Sequence, residues 1–254
     1  MLSLRKRQYN NISFYDICQD LSSPTLIILH GWLQNKESWE RAITIFSRDF
    51  RVICPDLPGF GESTKDQGFY SFSPDDYADC ILNLMIYLKV GEAILLGHSF
   101  GGRIAIVAAG RYPQRFREVI LYAPGNKHNL IYSFKLLKIA KKMSLLLPNI
   151  IQQYVAEKFR STDYRNSGIL KNIFLKAVNF DFQSYLSKID SPTLLIIGNF
   201  DSIVSIDSVK LLKRDIRNSK LVIVKSYGHF IHLENPFIFC GIVKRFINNS
   251  KNAD

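Results

Sequence analysis

The stretch "LLGHSFGG" (95–102) sets a serine between glycines straight after a short apolar run. The run "EAILLG" (92–97) reads as a strand, and "FGGRIAIVAAGRYP" that follows reads as a helix. Ser99 therefore falls in a strand–turn–helix bend of the pattern G-x-S-x-G, with Gly97 two residues before it and Gly101 two after. Such a bend lifts one side chain above the carboxyl edge of a sheet, where open α/β sheets bind ligands. It also crowds the backbone, which small neighbours relieve. The competing role for Ser99 is a plain helix N-cap. A serine hydroxyl is a poor nucleophile near neutral pH; it needs a base, and the base needs an orienting acid. His229, in "VIVKSYGHFIHLENP", is placed to be the base, and Asp201, three residues past Gly198 in "LLIIGNFDSIV", to be the acid. His232 is a rival base and Asp207 a rival acid. His98 and His30 read as structural, His128 as a surface group and Asp56 as a turn-fixing residue. "GFGES" lacks the G-K-[ST] of a phosphate loop.

Those side chains need a frame. Continuous apolar runs recur at 25–29, 51–54, 92–97, 117–123, 192–198 and 220–225, as expected for strands buried on both faces of a mostly parallel sheet. Helical periodicity separates most of them, near 36–47, 101–112, 204–214 and 235–247. The clearest helix follows Ser73, an N-cap, with Pro74 in the first helical position and Asp75 and Asp76 at the positive end of the helix dipole. Strands alternating with helices predict an α/β fold, and "RKRQYNNISFYDIC" predicts one or two leading antiparallel strands. The alternation breaks once, between "LYAPG" and "DSPTLLIIG", where helical patterning runs on without a strand. That is too long for a plain loop. The expected organisation is a core of residues 1–124 and 189–254, with 125–188 inserted as a helical cap.

Composition narrows the class. The chain has 254 residues, 47% hydrophobic, with few glycines and prolines, so one large core domain is expected rather than disorder. No apolar run is long enough to cross a membrane as a helix, and "MLSLRKRQYNN" does not resemble a signal peptide. Cys18, Cys54, Cys80 and Cys240 form no CxxC pair and read as reduced, buried thiols of a cytoplasmic protein, without a metal site. The net charge of +11 raises the question of nucleic acid, but residues 125–188 alone hold eleven Lys/Arg against three Asp/Glu, so the excess belongs to one segment.

The motifs "HGW" (30–32), "DLPGFGES" (56–63), "GHSFGG" (97–102), "GNFDSIV" (198–204) and "GHFIHLENP" (228–236) together resemble the α/β-hydrolase superfamily across nearly the whole chain outside the cap. The resemblance implies an α/β-hydrolase fold, with a mostly parallel twisted sheet flanked by helices. It implies Ser99 as nucleophile, Asp201 as acid and His229 as base, in the chain order this fold uses. It also implies an oxyanion hole made by the backbone N–H groups of Phe100 and Trp32. The expected reaction is hydrolysis of a carboxylic ester or thioester through an acyl-enzyme, with no metal or organic cofactor. Carbon–carbon bond hydrolysis on the same triad is an alternative, and a non-enzymatic binding module a further one.

The insertion "LIYSFKLLKIAKKMSLLLP" is amphipathic, with Leu136, Ala140, Met143 and Leu147 on one face and Lys135, Lys138 and Lys142 opposite. Its apolar face would cover Ser99. Tyr132, Phe134, Phe159 and Phe174 are candidates to line the pocket, with Tyr154, Phe180 and Phe182 also available, and suit an apolar acyl or aryl group. The basic face would be plain solvated surface, a dock for an acidic acyl-carrier protein, or a contact with anionic lipid. "HGW" and "DLPGFG" also resemble the biotin-pathway pimeloyl-acyl-carrier-protein methyl ester esterases, which implies the carrier as partner.

Overall fold

The computed structural model describes residues 4–20, 22–63, 67–125 and 168–251. Eight strands form one sheet: β1 (Lys6–Tyr9), β2 (Ile12–Ile17), β3 (Thr25–Leu29), β4 (Arg51–Pro55), β5 (Ala93–His98), β6 (Phe116–Tyr122), β7 (Thr193–Gly198) and β8 (Ser219–Val224). Their order is β1-β2-β4-β3-β5-β6-β7-β8. β1 and β2 pair antiparallel, as do β2 and β4, and every pairing from β4 through β3 to β8 is parallel. The β1–β2 hairpin closes over Asn10 and Asn11, both at positive φ (45° and 63°), the geometry a two-residue primed turn requires and asparagine tolerates. The helices are α1 (Glu40–Phe46), α2 (Pro74–Tyr87), α3 (Phe100–Arg111), α4 (Lys171–Asn179), α5 (Gln183–Leu186), α6 (Ile206–Asp215), α7 (Ile231–Glu234) and α8 (Pro236–Lys251).

Alternate strand residues feed two cores, one on each face of the sheet. Ile27, Leu29, Leu95, Leu121 and Leu195 pack with α2, α3, α4, α5 and α6. Leu26, Ile28, Leu96, Ile120 and Ile196 pack with α1 and α8. α2 starts as its sequence predicts, with Ser73 and Asp76 in a reciprocal capping box and Pro74 in the first turn. β8 differs from expectation. It is an edge strand with Ile223 exposed, because the strand order ends there and no neighbour covers its far side. Cys54 and Cys240 are buried and Cys80 half-buried, but Cys18 is exposed just beyond β2, contrary to its apolar sequence neighbours.

Residues 126–167 of the expected cap, with Tyr132, Phe134, Tyr154 and Phe159, lie outside the described residues. The part that is described, 168–188, is helical, and Leu170, Ile173, Ala177, Phe182 and Leu186 are buried in the same core as α3. Among the described residues no helix is long and apolar enough to cross a membrane.

The loop "DLPGFGES" is fixed by a buried ion network. The fully buried Lys36 ammonium lies 2.7 Å from Asp56 Oδ2, 2.8 Å from Glu62 Oε2 and 3.0 Å from Glu37 Oε1. Burial by itself would lower the Lys36 pKa, but the hydrogen bonds it donates to Asp56, Glu62 and Glu37 carry it above its ordinary value. Asp56 also accepts the Lys36 and Glu62 backbone N–H groups, each at 2.7 Å. Gly61 turns the chain at φ +52°, where a Cβ would stand 2.3 Å from the Asp56 carboxyl. Glu37, Asp56 and Glu62 are close enough together for a metal ion, but the Lys36 ammonium already supplies the cation. Lys36→Met therefore leaves Asp56 a buried charge without its partner and should cost about 3–5 kcal/mol, read as a lower urea midpoint at pH 7. Hydrogen bonds from Lys36 and Lys6 hold the Glu62 carboxyl down to about 2 from an ordinary 4.5. A lowered carboxyl pKa gives stability that is present above pH 4.5 and is lost as pH falls towards 2. Glu62→Gln should flatten the stability profile in that window, and an unchanged slope would refute the assignment.

Candidate active site

β5 ends at His98 and α3 begins at Phe100, so Ser99 alone makes the turn. It sits at φ 50° and ψ −108°, a conformation that side chains other than glycine rarely adopt. Ser99 holds the N-cap position of α3 but makes no side-chain capping hydrogen bond, unlike Ser73 and Ser205 at the starts of α2 and α6. The glycines around it are there for space. A Cβ at Gly97 would lie 2.3 Å from the Gly101 carbonyl oxygen, and one at Gly101 would lie 2.3 Å from the Leu29 carbonyl oxygen. The Ser99 N–H donates to the Tyr122 carbonyl at 2.9 Å, and the Gly101 N–H to the His30 carbonyl at 3.1 Å. The turn is thus tied to the ends of both β6 and β3. Leu33, Ala123 and Ser226, in the loops after β3, β6 and β8, also have positive φ, so strained backbone collects at this one edge.

Asp201 and His229 meet there. His229 Nδ1 lies 2.7 Å from Asp201 Oδ2, with both side chains shielded from water. Asp201 Oδ1 accepts the backbone N–H groups of Ile203 (2.9 Å) and Val204 (2.8 Å), so the carboxylate is held at both oxygens. The Nδ1–H donates to the acid, which leaves Nε2 as the ring's acceptor. The loops that bring them together are bonded to each other: Phe200 N–H donates to the Tyr227 carbonyl at 2.9 Å, and Ser226 N–H to Asn199 Oδ1 at 2.6 Å. Gly198 is the crossing point, where a Cβ would sit 2.2 Å from the Tyr227 carbonyl oxygen. Asp207, the rival acid, is on the first turn of α6 and pairs with Lys210.

The other histidines have different roles. His232, the rival base, is buried and stacks on Trp39 with ring centroids 4.1 Å apart. Burial, then the neighbouring His229, pull its pKa to about 3. His30 accepts the Leu57 N–H at Nε2 (2.9 Å) and faces its neighbour Gly31's carbonyl through Nδ1 (2.8 Å), so it joins the β3 and β4 loops as a structural group. Burial pushes it down to about 4. His98 spans the site: Nε2 lies 3.0 Å from the His229 carbonyl oxygen and Nδ1 lies 3.0 Å from Gln34 Oε1. Gln34 Oε1 in turn accepts the Gly31 N–H at 2.9 Å. With one N–H on its neutral ring, His98 donates to the His229 carbonyl through Nε2 and sets its Nδ1 edge against Gln34 of the β3 loop.

Trp32 and Phe100 lie side by side, rings edge-to-face at 5.2 Å. Among the described residues neither backbone N–H has a backbone acceptor, and Phe100 is the first residue of α3, where N–H groups have no partner within the helix. Phe60 packs on both rings, and Phe174 of α4 stands edge-to-face on Trp32 at 5.2 Å. Phe182 is buried in the same core cluster as Phe60 and Phe100, and Phe180 stacks on Tyr185. Sequence reasoning passed over Phe60, Gln34 and Tyr122. The Tyr122 hydroxyl donates to the His229 carbonyl at 2.7 Å and accepts the Ile231 N–H at 2.6 Å, a contact between distant segments that no local pattern announces.

A family model described as alpha/beta hydrolase fold matches residues 24–175 and 170–236. The chain belongs to this alpha/beta hydrolase family. It is 29% identical, over 89% of its own length and 94% of the relative's, to the pimeloyl-[acyl-carrier protein] methyl ester esterase of Wigglesworthia glossinidia brevipalpis. Its fold is similar to the crystal structure of a membrane phospholipase A, a bacterial virulence factor, with a TM-score of 0.78 at 23% identity, covering 98% of this chain and 86% of that one. It is also similar to a meta-cleavage product hydrolase from Pseudomonas fluorescens IP01, with a TM-score of 0.70 at 22% identity and 94% of each chain covered. In this alpha/beta hydrolase the backbone at His229 hangs on Tyr122. Tyr122→Phe should cost about 1–3 kcal/mol, because it leaves the buried Ile231 N–H without an acceptor. Amide exchange at Ile231 should quicken more than exchange in β5, and equal protection in both proteins would count against the anchor.

Proposed function

We propose that the protein is a serine hydrolase that cleaves a carboxylic ester or thioester of an apolar acyl group. Ser99 Oγ attacks the carbonyl carbon while His229 Nε2 takes its proton. Asp201 keeps the imidazole in the tautomer that can accept, and stabilises the imidazolium that forms. The N–H groups of Trp32 and Phe100 bind the oxyanion of the tetrahedral intermediate, each contributing roughly 3–4 kcal/mol. The intermediate expels the alcohol or thiol, which leaves with the proton held by His229. Water then attacks the acyl-enzyme with His229 again as base, and the acid product departs. The 2.7 Å contact between His229 and Asp201, at the edge where Ser99 is bent to φ 50° and left uncapped, carries this reading.

Trp32, Phe60, Phe100 and Phe174 supply apolar walls near Ser99. Residues 168–188, the described part of the expected cap, add Phe174 to these walls. A more specific form of the reading is an ester on an acyl chain carried by an acyl-carrier protein. It is supported by the similarity to the Wigglesworthia esterase and by the eleven Lys/Arg of 125–188, which would attract an acidic carrier.

A fluorophosphonate probe should label wild type and fail on Ser99→Ala. On a p-nitrophenyl ester, Ser99→Ala should lower kcat by roughly 10⁴-fold or more, and Asp201→Asn by about 10⁴-fold through loss of the correct tautomer. Near-normal turnover by Ser99→Ala would end the mechanism.

A further inference from the structure

Arg103 lies on α3 four residues after Ser99, and its backbone N–H donates to the Ser99 carbonyl at 3.2 Å. It therefore shares the helix face of Ser99, one turn deeper. α3 is buried all round, "FGGRIAIVAAG", so this long side chain has no route along its own helix to water. Only 9% of the residue is exposed. Burial lowers the guanidinium pKa to about 10, which still leaves it charged at neutral pH.

A buried cation normally comes with its counter-charge, and two other shielded cations of this protein follow that rule. Lys36 has Asp56 and Glu62, and Arg51 has Asp16. Among the described residues no carboxylate pairs with Arg103. Of its five donors, Nη1 is used on the Ala177 carbonyl at 2.6 Å, near the C-terminus of α4. The Nε–Nη2 edge, the one that takes a carboxylate side-on, faces Gly125. A Cβ there would lie 2.9 Å from Nη2 and 3.4 Å from Nε. Gly125 is three residues beyond β6, next to the strand that ends in Ser99. Gly125 carries no side chain to cover this edge of the guanidinium at the sheet's carboxyl end.

We propose that Arg103 binds a carboxylate on the substrate itself, so that the preferred substrate is an ester whose acyl group ends in a second, ionised carboxyl. This rests on the serine-hydrolase reading and narrows its substrate class. The apolar walls would hold the methylene chain, and Arg103 its charged end. A neutral acyl group of the same length would leave a buried charge unanswered. Sites built around such a group discriminate strongly against ligands that lack the partner.

The bland alternative is that Arg103 only caps the last turn of α4 through Ala177. The two roles separate in a ratio. Mono-p-nitrophenyl esters of dicarboxylic acids, from glutaric to suberic, are compared with p-nitrophenyl alkanoates of equal length. Wild type should favour the hemiester by about 10²-fold or more in kcat/KM at the best chain length. Arg103→Met should bring that ratio to about one, and Arg103→Lys should land between, since it keeps the charge and loses the side-on pair. A cap-only residue would lower both substrates together and leave the ratio where it was. If Arg103→Met does not fold, wild type decides. Free glutarate to suberate should slow fluorophosphonate labelling, and monocarboxylates of equal length should not. Labelling with no preference for the hemiesters overturns the role of Arg103 alone. Absence of labelling overturns the serine-hydrolase reading beneath it.

Discussion

The contact that the rest depends on is backbone against backbone at the start of α3. Gly97 and Gly101 close the turn at Ser99 with no room for a methyl group, and Gly101 presses in turn on the end of β3. A residue forced to positive φ costs on the order of 1–3 kcal/mol, so the surrounding structure must over-determine it. It does so through the Ser99 N–H bond to β6 and the Gly101 N–H bond to His30. The same bonds bring the N-terminus of α3, which begins at Phe100, against the loop that carries Trp32. One steric solution thus places the serine and the electropositive helix end together.

Asp201 and His229 are positioned by a second, independent device. β7 and β8 are parallel neighbours, so their loops leave the sheet side by side. Gly198 lets the β8 loop cross, the Asn199 and Phe200 bonds clip the two loops together, and Asp201 and His229 are left facing. The join between the two devices is made by His98 and Tyr122, which both hold the His229 carbonyl. Both come from the central strands β5 and β6, whose ends are fully buried. The buried middle of the sheet therefore sets His229 relative to Ser99.

Much of this frame is legible in the sequence, because it rests on local rules. Continuous apolar runs mark β3 to β7, Ser73-Pro74 marks a helix start, and glycine spacing marks the turn at Ser99. Other features escape for a physical reason. Periodicity does not say where a strand falls in the order, so β8 looked central and is an edge. The exposure of Cys18 is not legible, because burial depends on what packs from elsewhere in the chain. Gln34 and Tyr122 act over long sequence separations and carry no motif. Arg103 did leave a trace: one arginine inside a helix otherwise too apolar to have a wet face.

The histidines show why the site can tolerate four imidazoles so close together. The rings of His229 and His232 lie 4.8 and 5.0 Å from that of His98, centroid to centroid, and His30 sits in the adjoining loop. Were several of them charged, their mutual repulsion in a water-poor environment would oppose any new positive charge. Burial lowers the pKa of His30, His98 and His232, so these three stay neutral at neutral pH. Among the described residues only His229, of the four, has a carboxylate at hydrogen-bond distance. In the proposed cycle the proton taken from Ser99 therefore has one ring on which its charge is compensated. Selection among chemically identical groups follows from which one the folded chain pairs with an acid, and Asp201 cannot be swapped for a neutral residue without removing that distinction.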